Sequence, residues 1–190
     1  MAGRSTEIEV RPLSARTWND FVELFGQDRG ASGGCWCMFW RQPREEWKAR
    51  TRNGNQRKIR RLVKPGNPPG LLAYRDGKPV GWVSIAPRDE FPRLNSSQNL
   101  RPVDRKKVWS VVCFYIRRGH RKSGVASALL SAAVESARQR GARIVEGYPV
   151  AGTQESGDAW TGVPSMFTKV GFKEVERRHA SRPIVRKTLR

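Results

Sequence analysis

Between Arg117 and Ser127 the chain sets Arg117, Arg118, His120, Arg121 and Lys122 in front of Gly124, Val125 and Ala126, where an amphipathic helical pattern begins. This arrangement suits the capture of phosphate. A helix N-terminus exposes unpaired backbone N–H groups and roughly half a positive charge. Gly124 and Ala126 have little or no side chain to keep a ligand from the backbone, and the basic residues supply a rim. The spacing is not that of a Walker A loop, which needs G-x-x-x-x-G-K-[ST]. Nor is it the dinucleotide fingerprint G-x-G-x-x-G after an early strand.

The elements that must position this segment are legible around it. Val108–Ile116 is the strongest strand pattern. Val108, Val112, Phe114 and Ile116 alternate with Trp109, Val111, Cys113 and Tyr115, and both faces are mostly apolar, so the strand is expected to be central and covered on both sides. Residues 124–140 read as a helix. Val125, Leu129, Ala133 and Ala137 recur at i, i+4, and Gly141 stands where a C′ glycine belongs. Ala142–Val150 reads as the next strand. This strand–helix–strand unit is expected to be parallel and right-handed.

Upstream, Ile8–Leu13 reads as a strand, and Thr17 is a candidate cap for a helix ending near Gly26. A basic helical stretch after Pro43 should break at Asn53-Gly54. Leu71–Tyr74 and Val80–Ala86 flank Asp76-Gly77, a hairpin signal. Residues 87–105 read as an irregular excursion, of a length more often functional than accidental. Val163–Val170 is expected to be a short helix, with strands at Glu174–Arg177 and Pro183–Lys187.

The chain has 190 residues, 37 basic and 17 acidic, for a net charge of +20. A domain this basic attracts polyanions. One domain is expected over residues 1–190, with a core of about 8–188. The polar first residues contain no apolar run of a signal peptide, and no stretch approaches the roughly 20 apolar residues of a membrane span. The three cysteines are too few for a disulfide framework, so a reducing cytoplasmic setting is the expectation. Cys35-Trp36-Cys37 lacks the second pair and the spacing of a zinc site, so no metal is expected. The aromatic loop 30–40 is read as core packing or as part of an acceptor pocket.

Arg121-x-x-Gly124-x-Ala126 resembles the R/Q-x-x-G-x-G/A motif of GCN5-related N-acetyltransferases. The preceding strand, the alanine-rich helix and the later Phe167-Thr-Lys-Val-Gly171-Phe172 extend the resemblance over nearly the whole chain. It implies a mixed, mostly antiparallel α/β sheet with a splayed central parallel pair and helices on both faces. It implies acetyl-CoA as cosubstrate, with its pyrophosphate held by Arg121, Lys122, Ser123, Gly124, Val125, Ala126 and Ser127. The pantetheine arm would pair with the strand at Phe114, Tyr115 and Ile116. The reaction implied is direct attack of an acceptor amine on the thioester.

Three positions depart from the family pattern. Phe167 stands where many members carry an acidic Tyr, Trp160 seven residues earlier where many carry Asn, and Ser110 where some carry a basic Glu. Substitute bases are Glu146 first, then Asp89 and Glu90; substitute acids are Ser165, Tyr148, Tyr115 or water. The acceptor is expected to be a small-molecule or peptide amine, and an acidic one suits the charge best. The alternatives are a basic nucleic-acid-binding module and a CoA-binding protein without catalysis. A monomer or homodimer is expected, with no membrane partner.

Overall fold

A computed structural model describes residues 7–26, 31, 33–152 and 160–190. The polar N-terminal residues and the Gly30 and Ser32 positions of the aromatic loop lie outside the described residues. Seven strands form one sheet in the order β1-β2-β3-β4-β5-β7-β6. They are β1 (Glu9–Pro12), β2 (Gly70–Arg75), β3 (Lys78–Pro87), β4 (Trp109–Ile116), β5 (Ile144–Gly147), β6 (Lys173–Arg177) and β7 (Pro183–Thr188). Only β4 and β5 run parallel. The helices are α1 (Trp18–Gly26), α2 (Arg44–Lys48), α3 (Arg52–Leu62), α4 (Pro92–Asn95), α5 (Val125–Gln139) and α6 (Pro164–Lys169).

The central strand and helix fall where the hydrophobic pattern puts them. Val125, Leu129, Ala133 and Ala137 of α5 are buried against Val83, Ile85 and Val111 on one face of the sheet. On the other face, Phe21, Leu24 and Phe25 of α1 pack on Leu72, Tyr74 and Trp82 with Trp36 and Met38. The mixed sheet, its single parallel pair and its two covered faces agree with the expected class. The β2–β3 turn uses Asp76 and Gly77 at φ 50° and 72°, the left-handed pair that a tight hairpin needs.

Some local expectations change. Strict alternation along β4 fails at Val112. Ser84 pairs with Cys113 but Ile85 pairs with Val111, so Val112 is an extra residue in the ladder. That bulge turns Val111 onto the α5 side with Phe114, and leaves Cys113 and Tyr115 on the α1 side. Thr17 does not cap α1; its hydroxyl donates back to the Pro12 carbonyl at 2.9 Å. The basic helical stretch breaks before Arg52, not at Asn53-Gly54. Thr51 is the N-cap there, its side chain accepting from the Gly54 N–H, so the glycine lies inside the first turn of α3. The strand expected to run to Val150 stops at Gly147. Residues 88–95 form a 3-10 turn and α4, which bury Phe91 and Leu94. Among the described residues no helix is long and apolar enough to cross a membrane.

Gly147 ends β5 beneath the ring of Phe167, where an added Cβ would sit 2.2 Å from a ring carbon. Phe167 is fully buried between Phe114 and Phe172, so the ring has nowhere to move. Gly147→Ala should therefore cost about 1–3 kcal/mol through overpacking. Urea denaturation checks this.

Candidate functional site

The site begins where β4 and β5 part. Their parallel pairing covers Trp109–Val145, Ser110–Glu146 and Val111–Gly147, then ends. Beyond it β4 continues for five residues with β3 on one side only. Arg117 N–H donates to Val80 of β3 at 2.9 Å. By alternation Phe114 and Ile116 direct their N–H groups to the open edge. The Phe114 N–H is satisfied there by the Trp160 carbonyl at 2.7 Å.

The chain then passes through a 3-10 turn at Arg118–His120 into α5. Gly124 is the N-cap of α5 at φ 83°, and no side chain caps the helix. The first-turn N–H groups thus face outward without intrahelical partners. Lys122 also lies in the left-handed region, at φ 58°. Arg75 clamps this loop, donating to the Ser123 side chain at 3.2 Å and its carbonyl at 3.1 Å. Arg121 Nε donates to the Ile116 carbonyl at 3.2 Å. The buried Nδ1 of His120 has no partner. An anionic group on the outward amides fits these features, since the left-handed Gly124 keeps a Cβ out of the loop and a basic rim surrounds it.

On the α1 face of the splay lies a cavity of about 220 Å³. It is walled by Phe25, Phe39, Trp47, Tyr115 and Trp160, with Cys35, Cys37 and Cys113. Phe114, whose N–H marks the open edge of β4, also lines it. Among the described residues no carboxylate lines this cavity. Arg93 lies 4.2 Å from the centre of the Phe39 ring, and Arg50 lies 4.1 Å from that of Trp47. Burial, then the charges of Arg44 and Arg50, press Arg93 below the usual arginine range.

A third feature is a buried charge network at the foot of the splay. Glu146 is fully buried. It accepts from Arg88 at 2.8 Å, from Arg186 at 2.6 Å and from the Tyr148 hydroxyl at 2.6 Å. Tyr148 also bonds Ser110 at 2.7 Å and Arg88 at 2.7 Å. Arg186 continues to Asp104 at 2.7 Å. Burial, then the Glu146 charge, push the Tyr148 hydroxyl well above its ordinary value.

These positions sort the expected site residues. Phe114, Tyr115 and Ile116 lie along the open edge, and Arg121 to Ser127 form the loop and first turn of α5. Glu146 and Tyr148 come together with Ser110, but neither lines the cavity. Both oxygens of Glu146 are held by guanidinium groups, an arrangement that opposes its use as a proton acceptor. Ser165 is exposed on α6, also outside the cavity wall. Glu90 is paired with Arg41 at 2.6 Å and Asp89 is exposed. Sequence reasoning missed Cys37, Cys113, Arg88, Arg186 and Trp160. Cues existed for Trp160, at the position where the resemblance led to an expected Asn, and for Cys37, whose Cys-x-Cys spacing was visible.

The Acetyltransferase (GNAT) family profile matches residues 34–153. The chain belongs to this acetyltransferase family. Among solved structures, the GNAT fold here is similar to the PaiA N-acetyltransferase of Thermoplasma acidophilum in complex with coenzyme A. That match has a TM-score of 0.55 and 18% identity, covering 96% of this chain and 99% of the other. An N-acetyltransferase from Staphylococcus aureus matches with a TM-score of 0.58 and 13% identity over 97% and 100% of the two chains. An aminoglycoside N-acetyltransferase in complex with CoA matches at 0.57 and 14% identity over 94% and 96%. At these identities the likeness is one of fold. No curated protein matches the chain in sequence.

Removing one partner of a buried ion pair strands the other. Glu146→Gln should therefore lower unfolding free energy by about 3–5 kcal/mol, read by urea titration. A loss below about 1 kcal/mol with turnover abolished would instead fit a proton-transfer role.

Proposed function

We propose that this GNAT protein transfers an acetyl group from acetyl-CoA to an amine carried on an aromatic or apolar body that also bears an anionic group. The reading is carried by one juxtaposition. The uncapped N-terminus of α5, the open edge at Phe114 and Ile116, and the aromatic cavity follow one another along the splay.

In this reading the amides of residues 124–127, with Arg121 and Lys122, hold the pyrophosphate. The pantetheine arm follows the open edge of β4. The Phe114 N–H exchanges the Trp160 carbonyl for the thioester oxygen, where it stabilises the charge that develops on attack. The amine approaches from the cavity, on the opposite side of β4 from α5. Attack forms the C–N bond and expels CoA as a thiolate. No tyrosine is needed to protonate it, in keeping with Phe167 serving as a core residue.

The acceptor class follows from the cavity walls. Six aromatic side chains beside Cys35 and Cys113 favour an aromatic body of modest size. Arg50 and Arg93 lie over two of those rings, and the charges of Arg44 and Arg50 repel that of Arg93. Arg93 donates to the Gln42 and Pro43 carbonyls, and Arg50 to the Trp47 carbonyl; no carboxylate pairs with them among the described residues. An anion on the acceptor would relieve that repulsion.

Acetyl-CoA at about 100 times its dissociation constant should stabilise the protein by about 2.7 kcal/mol, seen as a rise in melting temperature. Absence of any rise, together with salt-sensitive RNA binding, would overturn the reading. A rise without CoA release across an amine panel would mean binding without catalysis. Within that panel L-tyrosine should exceed tyramine in kcat/KM. Arg93→Met should raise KM for tyrosine by about tenfold, the scale of one charge-assisted hydrogen bond, and leave tyramine unchanged.

A further inference from the structure

Cys35-Trp36-Cys37 sits in a turn closed by a hydrogen bond from the Met38 N–H to the Cys35 carbonyl at 2.9 Å. Its two central residues, Trp36 and Cys37, have φ of 46° and 59°. Such angles suit Gly, Asn or Asp, and bulky residues are held there only when their surroundings require it. The surroundings here act on sulfur. The indole N–H of Trp82 donates to Cys37 Sγ at 3.1 Å. Cys113, delivered by β4 next to Phe114, neighbours the same sulfur, and its interaction with Cys37 favours the Cys37 thiolate. Cys37 is 4% exposed, yet its side chain forms part of the cavity wall.

We propose that Cys37 accepts the proton of the acceptor amine, with Trp82 and Cys113 as the donors that position its sulfur. This rests on the reading that the amine enters the cavity. Among the described residues the wall of that cavity offers Cys35, Cys37, Cys113 and Tyr115 as titratable groups. The groups facing Cys37 are Cys35 from its own turn, Cys113 and Ser84 from the sheet, and Arg41, itself paired with Glu90. Burial pushes the Cys37 thiol up. The Cys113 and Trp82 hydrogen bonds, the Arg41 charge and a Ser84 hydrogen bond outweigh that and bring it to about 7. Cys113, which keeps its proton to donate to Cys37, is raised well above the ordinary thiol value. Cys35 is raised to about 11, first by burial and then by the Cys37 charge. A base works best with a pKa near the operating pH, which singles out Cys37 among the thiols.

The proton balance is simple. The ammonium gives one proton to Cys37 Sγ and becomes a free amine. Its lone pair attacks the thioester carbon; the C–N bond forms and the C–S bond breaks. The second nitrogen proton goes to the departing CoA thiolate. Cys37 then releases its proton to solvent.

The test follows CoA release with L-tyrosine and acetyl-CoA across pH, for the wild type and two variants. The base must be unprotonated to work, so wild-type kcat/KM should rise with pH through a limb near 7. Cys37→Ser should lose that limb and at least about 100-fold in kcat/KM, the lower range of a general base. Cys113→Ala removes a donor to the thiolate and should move the limb to higher pH. Cys37→Ser with kcat/KM within about threefold of wild type and an unchanged limb would overturn the proposal, since a general base contributes far more. So would an unmoved limb in Cys113→Ala. Should tyrosine prove no substrate, the thiolate ultraviolet absorbance decides: a wild-type thiol titrating near 7 and missing in Cys37→Ser supports the proposal, and its absence overturns it. The acetyl-CoA melting shift in each variant separates the two levels. Its absence from wild type sinks acetyl transfer itself; its presence with an unaltered pH profile sinks only the role of Cys37.

Discussion

A buried carboxylate between two guanidinium groups sits at the point from which the rest of the site opens. Glu146 pairs across β4 and β5 with Ser110, one residue before the two strands part company. Arg88 reaches it from the end of β3 and Arg186 from β7. Two parallel strands that separate lose their shared hydrogen bonds, and the strand ends need another anchor. The network supplies one, because every member is bonded to groups on a different element. Its desolvation cost is high, and such a pair rarely adds net stability over apolar packing. What it adds is a fixed position for the fork. Gly147, the last paired residue of β5, then leaves space for the Phe167 ring. One glycine thus ends the pairing and seats the residue that fills the opening on the α5 side.

Above the fork the two faces of β4 are given different work by the Val112 bulge. Without it Val111, Cys113 and Tyr115 would share one face. With it, Val111 joins the α5 core, and Cys113 and Tyr115 turn to the α1 side, where the aromatic cavity lies. The bulge therefore separates the side of β4 that packs on α5 from the side that carries the wall of rings and sulfur. Among the described residues β4 reaches both, through Phe114 in the α5 core and its neighbour Cys113 in the cavity wall.

Elements dictated by local periodicity could be read from the sequence. The α5 stripe at i, i+4 and the Asp76-Gly77 hairpin depend on residues close in the chain, and both fell within a residue or two of expectation. The loop at Arg121–Ala126 was legible for the same reason: its chemistry is that of one helix end. The Val112 bulge was not legible, because it exists only in the register between β3 and β4. Nor was the environment of Glu146, whose partners lie 58 and 40 residues away. Glu146 was expected to act as a base, and the arginines that claim it were part of a general basic excess. Cys37 was hidden differently. The Cys-x-Cys spacing was visible, but the sulfur that matters to it arrives from β4.

The positive charge of the chain is best understood at the two ends of the proposed reaction path. One end is the rim of Arg121 and Lys122 at the α5 terminus; the other is the group of Arg44, Arg50 and Arg93 at the cavity. Between them the described residues of the cavity wall include no carboxylate. A protonated amine entering that space meets like charge on both sides and loses solvent, and both effects favour the neutral form that attacks the thioester. The same field stabilises what is negative along the path: the acceptor's anion, the oxyanion at Phe114 N–H, the departing CoA thiolate and the Cys37 thiolate. In such a site the field has already lowered the amine's hold on its proton. A base of modest strength is then enough, which is the role proposed for Cys37.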